Sequence, residues 1–188
     1  MLVAPHFLLP VTTDVRRNEI LSFEINNALE KDVSDVSAVL TEAAKWLDFI
    51  DQSLWQVDEL TTDFIENDVR FGLYFIAWLN QEAVGVFKLQ LEDRLIWPDV
   101  PQGDSVFIHR MAIKRNVAGK GIADKMINWA KSYAKEIGMA FLRLDCEIRP
   151  RLCALYERNG FIKHSERHIG AHLVARYEIN VGNYEPIA

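Results

Sequence analysis

Apolar positions along this chain recur at two periods, and the changes of period mark its elements. Between Ile20 and Ile25 the side chains Leu21, Phe23 and Ile25 fall on alternate positions, which predicts a strand. From Val36 the step lengthens: Val36, Val39, Leu40, Ala43, Leu47 and Ile50 recur at helical spacing, predicting a helix through about Phe49 capped by Ser34 or Asp35. A shorter helix is expected over Gln56–Glu66. Phe71–Leu79 and Ala83–Leu91 read as two strands of a hairpin that turns at Asn80-Gln81-Glu82. Pro98, Pro101 and Gly103 make Trp97–Asp104 a loop. Residues 1–18 follow neither period and read as an N-terminal arm. Residues 19–188 are expected to form a single domain.

The second half is more regular. An apolar strand, Val106–Ile113, runs into a glycine-bearing turn and then a helix over Gly121–Ile137. Ile122, Met126, Ala130, Ala134 and Ile137 form the expected buried stripe of that helix, with Asp124, Lys125, Asn128, Lys131 and Lys135 on its wet side. Gly138 stops it. Ala140–Cys146 is a further strand. Pro150–Arg158 is a helix opened by proline and closed at Asn159-Gly160. Phe161–His168 and His172–Val181 complete the chain as two strands around Gly170. A strand–helix–strand step inside an otherwise antiparallel run implies one parallel pair. The predicted fold class is therefore α/β (α+β): a mixed, mostly antiparallel central sheet with helices on both faces.

Composition narrows the function classes. With 188 residues, 49% hydrophobic and 26% charged, the chain can bury a full core. A net charge of −6 argues against a nucleic-acid surface, which needs a basic face. The first ten residues are apolar but lack a basic stretch and contain Pro5 and Pro10, so neither a signal peptide nor a membrane span is expected. Cys146 and Cys153 fit neither a disulfide framework nor zinc spacing, which points to reduced thiols and a cytoplasmic location. His164, His168 and His172 follow no coordination motif, and no metal is expected.

The chemistry concentrates at residues 117–123. A strand that ends at glycines where a helix begins leaves the first amides of that helix uncovered beside its positive dipole end, a receptor for phosphate. A Walker A loop would need glycine where Lys114 stands and a hydroxyl where Gly121 stands, so that reading fails. A dinucleotide fingerprint would need a third small residue where Asp124 stands and a preceding βαβ beginning, although Asp145 lies at a suitable distance for the ribose acid.

Gly119-Lys120-Gly121-Ile122-Ala123 resembles motif A of the GCN5-related N-acetyltransferase (GNAT) family, whose core is Gln/Arg-x-x-Gly-x-Gly/Ala. Gly121 and Ala123 take the two small positions, while Ala118 departs from the Gln/Arg. Leu155-Tyr156-Glu157-Arg158-Asn159-Gly160-Phe161 is similar to the family's downstream Leu-Tyr-x-x-x-Gly-Phe segment. The resemblance covers Ile20 to Val181 and is sharpest over Val106–Phe161.

That resemblance implies acetyl-CoA as co-substrate and a primary amine of a small molecule, amino acid or peptide as acceptor, joined by direct attack in a ternary complex. It implies main-chain contacts from Met111, Ala112 and Ile113 to the pantetheine arm. It implies a pyrophosphate cradle from Val117, Ala118, Gly119, Lys120, Gly121, Ile122 and Ala123. Tyr156 matches the residue that protonates the leaving thiolate, a role suited to a phenol with pKa about 10. His109 lies where many members place a glutamate facing the acceptor and is the first candidate for general base, with Glu147 second. Asp145 is less attractive, because it can equally bond backbone at a strand end. Arg149 stands where the family commonly has asparagine, and Arg149 or Arg151 is expected to meet a CoA phosphate. Trp46, Trp55, Trp97, Glu166 and His168 are expected around the acceptor. The alternative is a catalytically silent CoA-binding or interaction module of the same fold, and a homodimer by exchange of the N-terminal arm is a further expectation.

Overall fold

In the computed structural model, which describes residues 12–14, 21–55, 60–182 and 184, the two periods of the sequence become strands and helices grouped in two compact units. The first unit holds the described parts of Met1–Lys88 together with Arg110–Ala123. Its strands β1 (Thr12–Asp14), β2 (Leu21–Asn27), β3 (Tyr74–Leu79) and β4 (Glu82–Gln90) pair antiparallel in that order. The hairpin turn uses Asn80 and Gln81, both at positive φ (51° and 66°), the left-handed pair whose twist matches that of the flanking strands. Asn80 also accepts the Ser22 N–H at 3.1 Å, tying the turn to β2.

Helices α1 (Val33–Phe49) and α2 (Thr62–Arg70) bury one stripe each. Val36, Val39 and Leu40 join Ile65, Val69, Tyr74, Ile76 and Val86 in one apolar cluster. Four boundaries differ from expectation. Thr12–Asp14, inside the expected irregular arm, is a strand paired with β2, and the arm's residues 1–11 and 15–18 lie outside the described residues. Ser34 and Asp35 lie inside α1, because Glu30–Asp32 forms a 3-10 turn ahead of it and the Asp32 carboxylate accepts the Leu29 N–H at 3.0 Å. The second helix begins after an extended Thr61 and continues to Arg70, carried by Ile65 and Val69 one turn apart on its buried side. Residues 56–59, the start of the expected Gln56–Glu66 helix, lie outside the described residues. Phe71 is exposed beside a left-handed Gly72 (φ 69°), so β3 starts only at Tyr74.

The second unit holds Leu89–His109 and the described parts of Asp124–Ala188. Here the first residues of β5 (Ser105–Ile113) run parallel to β6 (Phe141–Glu147), from Ser105 beside Phe141 to Ile108 beside Leu144. This is the expected parallel pair. β6 pairs antiparallel with β8 (His172–Asn180), and β8 with β7 (Ile162–Ile169). Helix α3 (Ile122–Glu136) buries Met126, Ile127, Ala130 and Ala134, and α4 (Pro150–Arg158) buries Tyr156. Gly138, at φ 78°, ends α3 with its N–H on the Lys135 carbonyl at 3.0 Å.

Lys131, expected on the wet side of α3, is 4% exposed. Its ammonium donates to the Asn159 carbonyl at 2.6 Å and to Asn128 Oδ1 at 3.1 Å, closing the carbonyl end of α4, and burial lowers its pKa. Among the described residues no helix is long and apolar enough to cross a membrane.

Candidate functional site

In the first unit β5 ends at Met111–Ile113, with Ala112 buried and the next N–H, that of Lys114, on the Val84 carbonyl at 2.9 Å. One 3-10 turn, Arg115–Val117, follows. Glu42 accepts the Arg115 N–H at 2.8 Å, and the Arg115 guanidinium lies 3.7 Å over the Trp46 ring. Trp46 is thereby engaged by an arginine, and buried Val117 anchors the turn.

The expected cradle is not uniform. The amides of Val117, Ala118 and Lys120 are already bonded, to Lys114 O at 3.3 Å, Arg115 O at 3.2 Å and Val117 O at 3.2 Å. Among the described residues, no acceptor takes the amides of Gly119, Gly121, Ile122 or Ala123. Gly119 (φ 79°) and Gly121 (φ 76°) both lie in the left-handed region, which costs other residues about 1–2 kcal/mol. A Cβ added at either would meet no protein atom within 4 Å, so the protein's own packing does not require glycine there. The result is four unspent N–H donors at the dipole-positive end of a 15-residue helix. Lys120 is exposed, and its side chain takes no part in shaping the turn.

In the second unit the parallel register sets His109 beside Asp145, both on the face opposite the buried Ile108 and Leu144. The loop after β4 brings a third group: Asp93 Oδ2 lies 3.7 Å from His109 Nε2. One donor atom from each of Asp93, His109 and Asp145 lies within 4.8 Å of the other two. Burial and the Asp93 charge push the Asp145 carboxyl up to about 6. Arg110, the next residue of β5, has φ 49°, a left-handed conformation uncommon for a long side chain, so regular strand geometry is interrupted immediately after His109.

The loop that carries Asp93 is tied down. Asp93 Oδ1 accepts the Ile96 N–H at 3.0 Å and its carbonyl accepts the Trp97 N–H at 2.9 Å. Arg176, 4% exposed, holds the Asp99 carboxylate with both terminal nitrogens and donates to the Ile96 carbonyl at 3.1 Å. Trp97 is 1% exposed, with the Arg176 and Arg143 guanidinium carbons 4.8 and 5.6 Å from its ring centroid. Trp97 is thus a core anchor, not the wall residue expected.

Tyr156, on α4, is buried against Phe161 (ring centroids 5.9 Å apart) and Tyr177 (6.1 Å). Burial, aided by Cys146 and Asp145 nearby, raises its pKa above that of an ordinary phenol, so the hydroxyl stays protonated. The Glu147 carboxylate forms an ion pair with Arg149, so two residues expected to act separately are tied to each other. Arg149 also occupies the cap position of α4. Cys146 and Cys153 are free thiols, the first buried. Glu166 pairs with Lys163 at 2.5 Å on an exposed stretch of β7. Asp93 was missed in the sequence because it lies in a loop far from the other two donors. The register of the predicted parallel pair could have joined His109 to Asp145.

Comparison with known proteins follows the same lines. Over 141 residues, 71% of this chain and 78% of the relative, the chain is 26% identical to the uncharacterized N-acetyltransferase YesJ of Bacillus subtilis (strain 168). A GNAT-family acetyltransferase from Listeria monocytogenes 4b F2365 superposes with TM-score 0.69 at 20% identity, over 85% of this chain and 95% of its own. The PaiA N-acetyltransferase of Thermoplasma acidophilum, solved in complex with coenzyme A, superposes with TM-score 0.67 at 17% identity, over 85% and 99%. The model of the acetyltransferase (GNAT) family matches residues 40–161, more than half of the sequence, and the chain belongs to that family.

Proposed function

We propose that the protein transfers the acetyl group of acetyl-CoA to a primary amine of a small molecule, amino acid or peptide. The observation that carries this reading is the set of unspent amides at Gly119, Gly121, Ile122 and Ala123, which offers a diphosphate fixed donors without any cationic side chain. The binding of coenzyme A by the Thermoplasma acidophilum relative supports the choice of ligand. Met111, Ala112 and Ile113 supply the main-chain edge for the pantetheine arm, and Arg149 is assigned to the cofactor with less freedom than expected, since Glu147 already holds it.

In the reaction the amine nitrogen attacks the thioester carbonyl carbon. The N–C bond forms, the C–S bond breaks, and the nitrogen's proton passes to the His109 imidazole, directly or through water. Tyr156, kept neutral by burial, returns a proton to the leaving thiolate. His109 is favoured over Glu147 as base because the Glu147 carboxylate is engaged by Arg149. A cytoplasmic location fits the two free thiols.

A thermal melt with acetyl-CoA tests the cofactor. At about 100 times its Kd the ligand stabilises the fold by ~2.7 kcal/mol, a rise of roughly 5–10 °C at this chain length. No rise refutes the reading. A rise without turnover across a library of amines identifies a silent CoA-binding module, the reading suggested by the two departures at Ala118 and Arg149.

A further inference from the structure

Asp93 and Asp145 have no part in the chemistry above, yet they converge on His109 from separate segments. We propose that Asp93, His109 and Asp145 bind one divalent transition-metal ion of the zinc class, and that the ion competes with the acceptor amine for His109. The competition rests on the reading of His109 as base; the binding does not.

The donor set carries the first part of the inference. A neutral imidazole and two carboxylates suit ions such as Zn²⁺, Co²⁺ and Mn²⁺, and two carboxylates balance the charge of a divalent ion. Three protein ligands leave a fourth position for water, the open pattern of zinc sites that exchange ligands. Ligand atoms bonded at about 2.1 Å around a tetrahedral ion lie roughly 3.4 Å apart. His109 Nε2 and Asp93 Oδ2 stand at 3.7 Å, and the whole set falls within 4.8 Å, which leaves about an ångström of adjustment to reach that separation.

The second part is independent of the clustering. The Asp93 side chain is 8% exposed. Its Oδ1 is spent on the Ile96 N–H, while the buried Oδ2 has no hydrogen-bond donor and faces the imidazole. A buried carboxylate oxygen without a donor is costly unless a cation reaches it. It cannot turn to water cheaply, because Arg176 fixes its loop at Ile96 and Asp99 and Trp97 anchors it in the core. Asp145 adds a second carboxylate against the first. The His109 side chain is 19% exposed, while its Nε2 is buried together with Asp93 Oδ2.

The test uses the full chain stripped with EDTA, dialysed, and titrated with Co²⁺ or Zn²⁺ alone. The expected result is one equivalent of Co²⁺ per chain, with visible ligand-field bands and no thiolate-to-cobalt charge transfer in the near ultraviolet, which excludes Cys146 and Cys153 as ligands. Asp93→Asn and Asp145→Asn, both close in shape to the native residues, each weaken uptake at least tenfold with melting curves that stay cooperative. Cys153→Ser and His172→Ala leave uptake unchanged. The proposal is overturned by the absence of stoichiometric uptake, by uptake that survives both Asp→Asn changes, or by a cluster that takes up an alkylammonium ion but no metal. Zn²⁺ should also inhibit acetyl transfer competitively with the amine, with recovery on adding EDTA. Metal uptake in a protein that acetylates no amine would leave the site standing and remove the enzyme reading instead.

Discussion

Gly121→Ala separates the turn's conformational need from its binding role. Gly121 is at φ 76°, and a methyl group there meets no protein atom within 4 Å, so the folded state is charged only for the left-handed backbone, about 1–2 kcal/mol. At this chain length that lowers Tm by roughly 2–8 °C. Gly138 offers a matched control, with φ 78° and equally open space, at the end of α3 and away from the unspent amides. Gly138→Ala should therefore cost about the same Tm. Binding should divide the two. At position 121 the new methyl group stands out from the turn and holds a diphosphate off the N–H donors. Loss of one charge-assisted hydrogen bond, about 1.5–3 kcal/mol, weakens acetyl-CoA by roughly 10- to 100-fold. Isothermal titration of acetyl-CoA into both variants reads the difference. Equal affinities for Gly121→Ala and Gly138→Ala would refute the assignment of the diphosphate to these amides.

Three further outcomes follow from the second unit. Tyr156→Phe should lower kcat about 100-fold with little change in KM if the phenol protonates the leaving thiolate, and an unchanged kcat in steady-state assays would leave Tyr156 as packing alone. Arg143→Met removes the guanidinium that joins Asp104 and Glu178, each at 2.9 Å, and should cost about 3 kcal/mol, the low end for a buried pair because both acids are about a quarter exposed; a fall in Tm of roughly 6–12 °C checks it. The hydrogen bonds from Arg176 hold the Asp99 pKa at about 2, below its ordinary 3.8, so the pair's contribution is full above pH 4 and fades as pH falls toward 2. Asp99→Asn should be less stable than the wild type at pH 6 in thermal melts, by a small margin because Asp99 is half exposed, and the gap should close near pH 2.

The periodic half of the molecule is legible in the sequence. The Pro150–Arg158 helix, the stop at Gly138 and the parallel pair all follow from local residue chemistry and chain order. Boundaries slipped where a neighbouring turn overrode the pattern, as at Gly72, which keeps the apolar Phe71 out of β3. Lys131 reads as solvated in any helical wheel, and only the carbonyl end of α4 draws it inward. The glycine turn was visible as a phosphate receptor, yet which of its amides were free depended on 3-10 bonds that composition does not encode. Asp93 was hidden for a plainer reason: its partners are 16 and 52 positions away in the sequence, and no local spacing rule connects them.

If the turn ahead of α3 holds the diphosphate as proposed, it grips by peptide groups, and its freedom to vary follows from that. On that proposal the side chains at 118 and 120, both exposed, carry no share of the grip and are left to be shaped by solubility or by neighbours in the cell. Ala118 in place of arginine or glutamine then costs little, and charge reversal at Lys120 should be tolerated. A drug or inhibitor aimed at this turn would meet a surface that substitution at those two positions can hardly disguise.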